Sequence, residues 1–330
     1  MKHARLELAR GADLLPPLEG SVVVFGEITP DRLRGLDVSQ LQAVSDGYLT
    51  TQALKRSGIE VTRKPPSTAD HAVVFVPRSK VETWHLIALA LRAAPNGWIV
   101  VDGQKTDGID SIAKQIARSV KDTSTYSKGH GKTVWFRAEA AQGLCEVVSS
   151  TKNKDGFLTA PGVFSSDAID PASAFLIDSI PKDLAGDLAD LGAGWGYLSN
   201  RVLSLNPKIN VVHLIEDNAS ALDCARVNTT DQRAVFHWTD ATNWQAPKLL
   251  DAVIMNPPFH TGRAADPSLG IRFIHSAARL LRPGGTLYMV ANAHLPYEPA
   301  LEQCFDITTL IERSNRFKVF SAKRGRKKVS

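Results

Sequence analysis

The stretch DLADLGAGWGYL, residues 187–198, contains the pattern that decides the fold. An apolar segment with the character of a buried strand ends in Asp190, a glycine-rich turn follows, and a helix-like segment begins. Gly192 and Gly194 allow the backbone to turn sharply and to approach a ligand without an intervening side chain. In open α/β sheets such a turn lies at the carboxyl ends of the strands, where ligands bind. The stretch therefore predicts a ligand-binding α/β sheet.

Strand-like and helix-like segments alternate around this stretch. Apolar runs at residues 186–191, 211–215, 252–255 and 286–291 are separated by stretches with helical spacing, such as residues 271–281. Nearly continuous apolar strands that alternate with helices are typical of a parallel, doubly wound sheet covered on both faces. We therefore predict an α/β domain in the second half of the chain.

The first half of the chain repeats part of this plan. AVVFVP at residues 72–77 is similar to AVIMNP at 252–257, and a turn followed by a strand occurs in APNGWIVV at 94–101 and in RPGGTLYM at 282–289. We interpret this similarity as the duplication of one Rossmann-like domain.

The two copies differ where chemistry would occur. The first copy has no glycine-rich turn after its first strand, and Val76-Pro77-Arg78 stands where the second has Asn256-Pro257-Pro258. We therefore predict a degenerate first domain over residues 1–148 and a catalytic domain over 156–330. The polar residues 149–156 have the composition of a linker.

The acids that follow the predicted strands indicate which cofactor binds. A glycine-rich turn alone also occurs in nicotinamide enzymes, but Asp190 would repel a pyrophosphate, and position 197 is Tyr where a dinucleotide site usually has Gly. The same acid suits a cationic sulfonium compound that carries an ammonium group. Glu216 ends the next strand and is expected to accept both ribose hydroxyls, and Asp240 follows a third strand and suits an adenine amino group. Together they predict S-adenosylmethionine.

The motif MNPPFH, residues 255–260, carries the predicted chemistry. Because each proline fixes its own φ and restricts the residue before it, Asn256-Pro257-Pro258 is a stiff, extended corner at the end of a strand. The Asn256 side-chain oxygen and a neighbouring backbone carbonyl can accept both hydrogens of a planar amino group. Phe259 offers a face on which a base can stack, and His260 is either a substrate contact or a simple hydrogen-bond partner. The motif accepts any planar amino group, so guanine N2, adenine N6 and a glutamine amide stay open here.

Composition and charge favour an RNA partner in the cytoplasm. Residues 312–328 carry a net charge of +7 within a chain of +5, so the rest of the chain is at −2. A basic tail can contact phosphates, although it can also be a solvated terminus. Three distant cysteines without a C-x-x-C pair predict neither disulfides nor a metal site. No apolar run of membrane-spanning length and no signal-like start occur, so we expect a cytoplasmic protein without membrane contact, and a monomer.

Five stretches resemble a known family, the bacterial ribosomal RNA guanine-N2 methyltransferases of the 16S type, which have two tandem methyltransferase-like domains. The resembling stretches are GVFSSDAID at 162–170, NPPFH at 256–260 together with Gly262, VANAHLPY at 290–297, NRFKVF at 315–320 and, more weakly, SKGHGK at 127–132. Ala193 stands where many relatives have Cys, and Thr261 where some have Asp.

The resemblance implies two tandem Rossmann-like class I methyltransferase domains and methylation of a guanine N2 amino group in ribosomal RNA, 16S rather than 23S. The first domain would bind RNA or support the second. The implied catalytic residues are Asn256, Pro257 and Phe259; the cofactor-binding residues are Phe164, Asp190, Gly192, Gly194, Glu216, Asp240, Ala241 and Asn256; the substrate-binding residues are Pro258, His260, Arg316 and Lys318.

Three other functions remain open at this stage. An N6-adenine methyltransferase acting on RNA or DNA would use the same motif, and so would a protein-glutamine methyltransferase. A ribosome-assembly protein that binds RNA without catalysis would need neither the acids nor the Asn-Pro-Pro corner. A nicotinamide oxidoreductase is disfavoured by Asp190 and Tyr197.

Overall fold

The computed structural model describes residues 5–258 and 267–325. The chain divides into two compact units, Met1–Ser149 and Ser150–Ser330. No helix within these described ranges is long and apolar enough to cross a membrane. Within the same ranges, no three His, Cys, Asp or Glu side chains are grouped in a way that could hold a metal ion.

The first unit contains a mixed, mostly parallel sheet with helices. Its elements are α1 (Arg5–Gly11), β1 (Val22–Gly26), β2 (Leu41–Val44), α2 (Tyr48–Arg56), β3 (Glu60–Thr62), β4 (His71–Phe75), α3 (Lys80–Ala93), β5 (Trp98–Gln104), α4 (Ile109–Ser119), β6 (Ser124–Lys128) and β7 (Gly131–Arg137). The strand order is β3-β2-β1-β4-β5-β7-β6. In this sheet β7 runs antiparallel to its neighbours β5 and β6, and the other neighbouring strands pair in parallel.

The second unit has the same plan. Its elements are β8 (Thr151–Lys152), β9 (Leu158–Thr159), α5 (Pro171–Ser179), β10 (Gly186–Leu191), α6 (Tyr197–Leu205), β11 (Ile209–Glu216), α7 (Ala219–Asn228), β12 (Ala234–Trp238), β13 (Leu250–Met255), α8 (Pro267–Leu280), β14 (Leu281–Asn292), α9 (Glu298–Cys304), β15 (Ile307–Arg313) and β16 (Phe317–Lys323). Its main sheet has the order β12-β11-β10-β13-β14-β16-β15, with β16 antiparallel to both neighbours.

The equivalent strand orders confirm the predicted tandem fold. β1, β4 and β5 of the first sheet occupy the positions of β10, β13 and β14 in the second. The sequence similarities at 72–77 with 252–257 and at 94–101 with 282–289 therefore fall on equivalent strands.

Burial on both faces explains why the central strands of the second unit are apolar throughout. Along β10, Leu188 packs into one buried cluster and Ala189 into another, so that each strand face meets a core. Helix α8 covers one face with Phe273, Ile274 and Ala277, whose spacing places them on one side of the helix. Because β10 pairs in parallel with β11 and with β13, the carboxyl ends of these three strands lie at one edge of the sheet.

The polar segment 149–156 differs from the predicted linker. Thr151 and Lys152 pair with Leu158 and Thr159 in a two-stranded hairpin that belongs to the second unit. The Asn153 side-chain oxygen accepts hydrogen bonds from the backbone N–H groups of residues 155 and 157 and thereby closes the turn. Polar, turn-forming residues fit such a hairpin as well as they fit a linker.

Candidate active site

The glycine-rich turn joins β10 to α6 and borders an open cleft. Gly192 and Gly194 have φ values of +77° and +56°, in the left-handed region that favours glycine. A Cβ built on Gly194 meets no atom within 4 Å. The turn therefore presents bare backbone to the cleft, as a cradle for a ligand requires.

The cleft contains predicted residues from distant parts of the chain. Phe164, Gly192, Gly194 and Asn256 all line it, together with Asp170 and Ser173. The structure thus brings the predicted cofactor turn next to the Asn-Pro-Pro corner.

Asp190 lies at the end of β10, fully buried. Its Oδ2 accepts a hydrogen bond from Ser199 Oγ at 2.7 Å, whereas its Oδ1 is buried without a donor among the described residues. Burial raises the pKa of this carboxyl to about 7, and the Ser199 hydroxyl opposes that rise. A buried acceptor without a donor costs desolvation free energy. The Asp190 carboxyl therefore fits a ligand that brings an N–H group or a positive charge.

Glu216 ties the glycine-rich turn to the next strand. Its Oε2 accepts from the Gly194 N–H at 2.7 Å and its Oε1 from the Asn218 N–H at 2.8 Å. Burial raises the pKa of Glu216. Each carboxylate oxygen has a second lone pair, so these bonds leave capacity to accept from a hydroxyl.

Asp240 and Ala241 shape the loop after β12. The Asp240 carboxylate accepts from the Thr242 N–H at 2.8 Å and from Asn243 Nδ2 at 2.5 Å, and it therefore stabilises its own turn. Ala241 is buried, and its carbonyl accepts from Ser276 Oγ at 2.7 Å. The contact of these residues with a cofactor adenine stays a prediction.

Asn256 directly follows β13, and the orientation of its amide is defined by two neighbours. Its Nδ2 donates to Asp170 Oδ2 at 2.8 Å and to Ser173 Oγ at 2.9 Å. Both amide hydrogens are thus occupied, and Oδ1 accepts from no donor among the described residues. Pro257 is buried and Pro258 exposed.

Four residues that follow Pro258 lie outside the described residues, and two residues from another segment contact Asn256. Phe259 and His260, for which stacking and substrate contact were predicted, lie outside the described residues, as do Thr261 and Gly262. The sequence interpretation gave no role to Asp170 or Ser173. The pair Asp-Pro at 170–171 could have pointed to a helix start, because Asp is a favoured N-cap and Pro a favoured first helical residue.

Phe164 stands at the cleft with 60% of its surface exposed. Its carbonyl accepts from Trp195 Nε1 at 2.9 Å, so the segment is anchored to the glycine-rich turn. The Trp195 ring lies 5.0 Å from the Phe157 ring and 5.9 Å from that of Tyr197, centroid to centroid. Trp195, which bonds the Phe164 backbone, is therefore itself held in an aromatic cluster, while the Phe164 ring stays accessible.

Comparison with known proteins identifies the family. The methyltransferase small domain matches residues 154–321, and the methyltransferase small domain N-terminal family matches residues 9–135. A ribosomal RNA small subunit methyltransferase C from Pseudomonas aeruginosa (strain UCBPP-PA14) is 30% identical over 275 residues, 80% of this chain and 82% of that protein. This chain belongs to the ribosomal RNA small subunit methyltransferase C family.

Another relative and a solved structure agree with this assignment. The protein of the same name from Pseudomonas syringae pv. tomato is 33% identical over 273 residues, 79% of this chain and 81% of its own length. The T. thermophilus 16S rRNA N2 G1207 methyltransferase, solved with AdoMet and guanosine, superimposes with a TM-score of 0.79 at 20% identity, over 98% of this chain and 91% of that one. The predicted family, enzyme class and tandem fold are confirmed.

The first unit of this methyltransferase has a different structure where its copy of the site would lie. After β1, the Arg32 guanidinium donates to the Glu27 carbonyl at 3.0 Å and lies 5.7 Å from the centroid of the Phe75 ring. Val76 follows β4 as Asn256 follows β13, and it is fully buried and apolar. An amide acceptor is therefore replaced by a methyl-bearing side chain at this position.

Lys318 and Arg316, both predicted to bind substrate, have different surroundings in this methyltransferase. Lys318 is buried, and its Nζ donates to the Leu295 carbonyl at 3.0 Å and to Glu298 Oε1 at 2.5 Å. An ammonium group held inside in this way cannot at the same time contact an RNA phosphate, so the structure corrects the predicted role of Lys318 to an internal one. Arg316 is exposed, with its guanidinium 5.0 Å from the centroid of the Phe317 ring. Its contact with RNA stays a prediction.

Proposed function

We propose that this protein transfers a methyl group from S-adenosylmethionine to the exocyclic N2 amino group of a guanine in 16S ribosomal RNA. The observation that carries the proposal is the Asn256 amide, which is held beside the glycine-rich turn with an oxygen that accepts from no donor among the described residues. Membership of the small subunit methyltransferase C family supports the RNA substrate, and the T. thermophilus structure with AdoMet and guanosine supports the cofactor and the base.

The glycine-rich turn that lines the cleft and the acids at the neighbouring strand ends fit this cofactor. Asp190 Oδ1 is a buried acceptor that suits its ammonium group, Glu216 suits the ribose hydroxyls, and the space beside Gly194 admits the ligand against the backbone. When bound, S-adenosylmethionine supplies an electrophilic methyl group on a sulfonium sulfur. Asp240 and Ala241 are proposed to contact the adenine, and Phe164 to lie along the pocket.

The protein contributes orientation in place of a strong base. Asn256 Oδ1 accepts one hydrogen of the guanine amino group, and a backbone carbonyl of the stiff corner accepts the other. These bonds turn the nitrogen lone pair toward the methyl group and stabilise the positive charge that develops on nitrogen. The extra proton on nitrogen then leaves to solvent.

The target base must leave its stack to reach the cleft, because a paired and stacked amino group cannot turn its nitrogen lone pair toward a methyl group held in the cleft. Arg316, exposed near the start of β16, is proposed to contact phosphates, and Phe259 and His260 to contact the base. The first unit is proposed to contact RNA or to support the second, as a monomer in the bacterial cytoplasm, where ribosomal RNA is found.

A radiolabelled methyl-transfer assay tests the proposal. Labelled S-adenosylmethionine is offered with 16S RNA, with small ribosomal subunits and with a protein fraction, and the products are digested to nucleosides. We expect label in N2-methylguanine, and about 10²-fold or greater loss of turnover in Asn256→Ala with cofactor binding retained. Label in N6-methyladenine or in protein would overturn the substrate, and cofactor binding without label in any fraction would support an assembly factor without catalysis.

A further inference from the structure

Asp170 is the residue that links the catalytic amide to the scaffold of the second unit. Its Oδ2 accepts a hydrogen bond from Asn256 Nδ2 at 2.8 Å and another from the Ser173 N–H at 2.9 Å. The Asp170–Asn256 contact joins residues 86 apart in the sequence. We propose that Asp170 is a positioning residue, which selects the orientation of the Asn256 amide in which the oxygen faces the substrate amino group.

The chemistry of the two groups explains the selection. An ionised carboxylate only accepts hydrogen bonds, whereas a carboxamide donates from one end and accepts at the other. The Asn256 NH₂ group must therefore face Asp170, because the reverse orientation would place the amide oxygen against a carboxylate oxygen. Orientation by Asp170 leaves Oδ1 on the opposite side, where an amino group needs an acceptor.

The position of Asp170 is itself tightly determined. It is the N-cap of α5, with an extended backbone at φ −65° and ψ 126°, and Pro171 follows as the first helical residue. The helix is anchored by Leu176 and Ile177, which are buried in the same cluster as strand residues of the main sheet. Asp170 Oδ2 is thus held in place by a packed helix, and its hydrogen bond fixes the position of the Asn256 amide.

Ser173 strengthens the arrangement without determining it. The buried Ser173 Oγ accepts the second Asn256 Nδ2 hydrogen at 2.9 Å. A hydroxyl can donate as well as accept. By itself it would therefore tolerate either orientation of the amide, and the selection comes from the carboxylate.

The loss of this selection would reduce turnover more than binding. A reversed amide would present an NH₂ group to a substrate NH₂ group, so the fraction of enzyme with a correct acceptor would fall. The cofactor contacts expected at Asp190 and Glu216 do not involve Asp170. We therefore expect an effect on kcat with the Kd for S-adenosylmethionine unchanged.

Two substitutions separate positioning from helix capping. Serine is also a good N-cap, so Asp170→Ser keeps the α5 cap but is one bond too short to reach Asn256. Asp170→Asn also keeps a cap, and because one oxygen of residue 170 accepts from both the Ser173 N–H and Asn256 Nδ2, its amide oxygen should keep the orientation of Asn256 without the charge. The matched control is Ser79→Ala, which removes the N-cap of α3, where the Ser79 side chain accepts from the Glu82 N–H.

The inference rests on the proposed function, and the kinetic test distinguishes the two. Single-turnover methyl transfer is measured for the wild type on the substrate that it methylates. A wild type that does not methylate guanine would refute the proposed function alone. Given wild-type activity, we expect the single-turnover rate constant to fall about 10- to 100-fold in Asp170→Ser, and to stay close to that of the wild type in Asp170→Asn and Ser79→Ala. A wild-type rate constant in Asp170→Ser would overturn the inference.

Two further readouts separate positioning of Asn256 from a general loss of stability, and the second needs no substrate. If Asp170 acts through Asn256, then Asp170→Ser should cause no further loss in an Asn256→Ala background, and additive losses would contradict the proposal. In nitrogen-15 NMR spectra, the Asn256 side-chain amide, assigned by its absence in Asn256→Ala, should exchange slowly with solvent in the wild type and faster in Asp170→Ser. Equal exchange in the two proteins would show that the carboxylate does not hold the amide.

Discussion

The replacement Asp190→Asn tests whether the buried acid of the glycine-rich turn stores free energy for cofactor binding. In the folded protein Asp190 is fully buried, with one oxygen bonded to Ser199 and the other without a donor among the described residues. Burial raises its pKa from 3.8 to about 7, and the neighbouring Glu216 carboxylate adds to the rise. The folded state therefore binds a proton more readily than the unfolded state does.

The sign and size of the effect follow from that difference. An acid whose pKa is raised on folding contributes most to stability below its unfolded pKa of 3.8, and that contribution is lost as the pH rises to about 7. At 1.36 kcal/mol for each pH unit, the loss amounts to about 4 kcal/mol. Asparagine is neutral throughout, so it avoids this loss, but its NH₂ group is buried without an acceptor, which costs about 1–3 kcal/mol at every pH.

The two proteins should therefore exchange their order of stability. In equilibrium urea unfolding, Asp190→Asn should be less stable than the wild type at low pH and more stable above about pH 8, with a total change of about 4 kcal/mol in the difference. Glu216 and all other titrating groups are present in both proteins and largely cancel. A difference in unfolding free energy that does not depend on pH would refute the reasoning.

The same linkage applies to the cofactor. A cationic ligand beside Asp190 favours the ionised carboxyl, so wild-type affinity for S-adenosylmethionine should increase as the pH rises toward about 7. The Asp190→Asn variant should bind more weakly and without this dependence. Isothermal titration calorimetry in two buffers of different ionisation enthalpy measures the accompanying proton release, and its absence in the wild type would contradict the pairing.

Three further substitutions test other parts of the site. Gly194→Val should abolish S-adenosylmethionine binding in calorimetry while the far-UV circular dichroism stays unchanged, because the side chain enters the open cleft and disfavours a φ of +56°. Lys318→Met removes the ion pair with Glu298, whose side chain is 43% exposed, and the hydrogen bond to the Leu295 carbonyl; we expect about 1 kcal/mol of destabilisation in urea unfolding, with no change in the salt dependence of RNA binding. Arg316→Ala should leave the stability unchanged and should reduce the slope of log Kd for RNA, plotted against the logarithm of the salt concentration, by about 1. An unchanged slope would show that Arg316 does not contact a phosphate.

The sequence predicts a site at one edge of the sheet because each predicted site residue ends or directly follows a strand. The predicted strand 186–191 coincides with β10 (Gly186–Leu191), and residues that end parallel strands meet at one sheet edge whatever their separation in the chain. This rule predicts that Asp190, Glu216 and Asn256 lie at the same sheet edge. It depends only on apolar periodicity, which is a local property.

The partners of those residues were not predictable in the same way. Asp170 contacts Asn256 through the packing of α5, and no local pattern pairs the two. The burial of Lys318, by contrast, could have been anticipated. Alternation along β16 places Lys318 on the same face as Phe320, which is buried. The net charge of residues 312–328 includes Lys318 whether its side chain faces the solvent or the core, so the charge alone does not show that Lys318 is buried.

The two units show that strand order alone does not carry the activity. Both sheets have the same order and present the ends of equivalent strands at the same edge. In one, β13 is followed by an amide whose orientation is set by a helix cap; in the other, β4 is followed by the buried Val76, and Arg32 donates to the backbone after β1. A valine offers no acceptor for an amino group, and a guanidinium repels a sulfonium. The first unit therefore has the apolar strands that its core requires, and after β4 it lacks the amide acceptor that the second unit is proposed to use in methyl transfer.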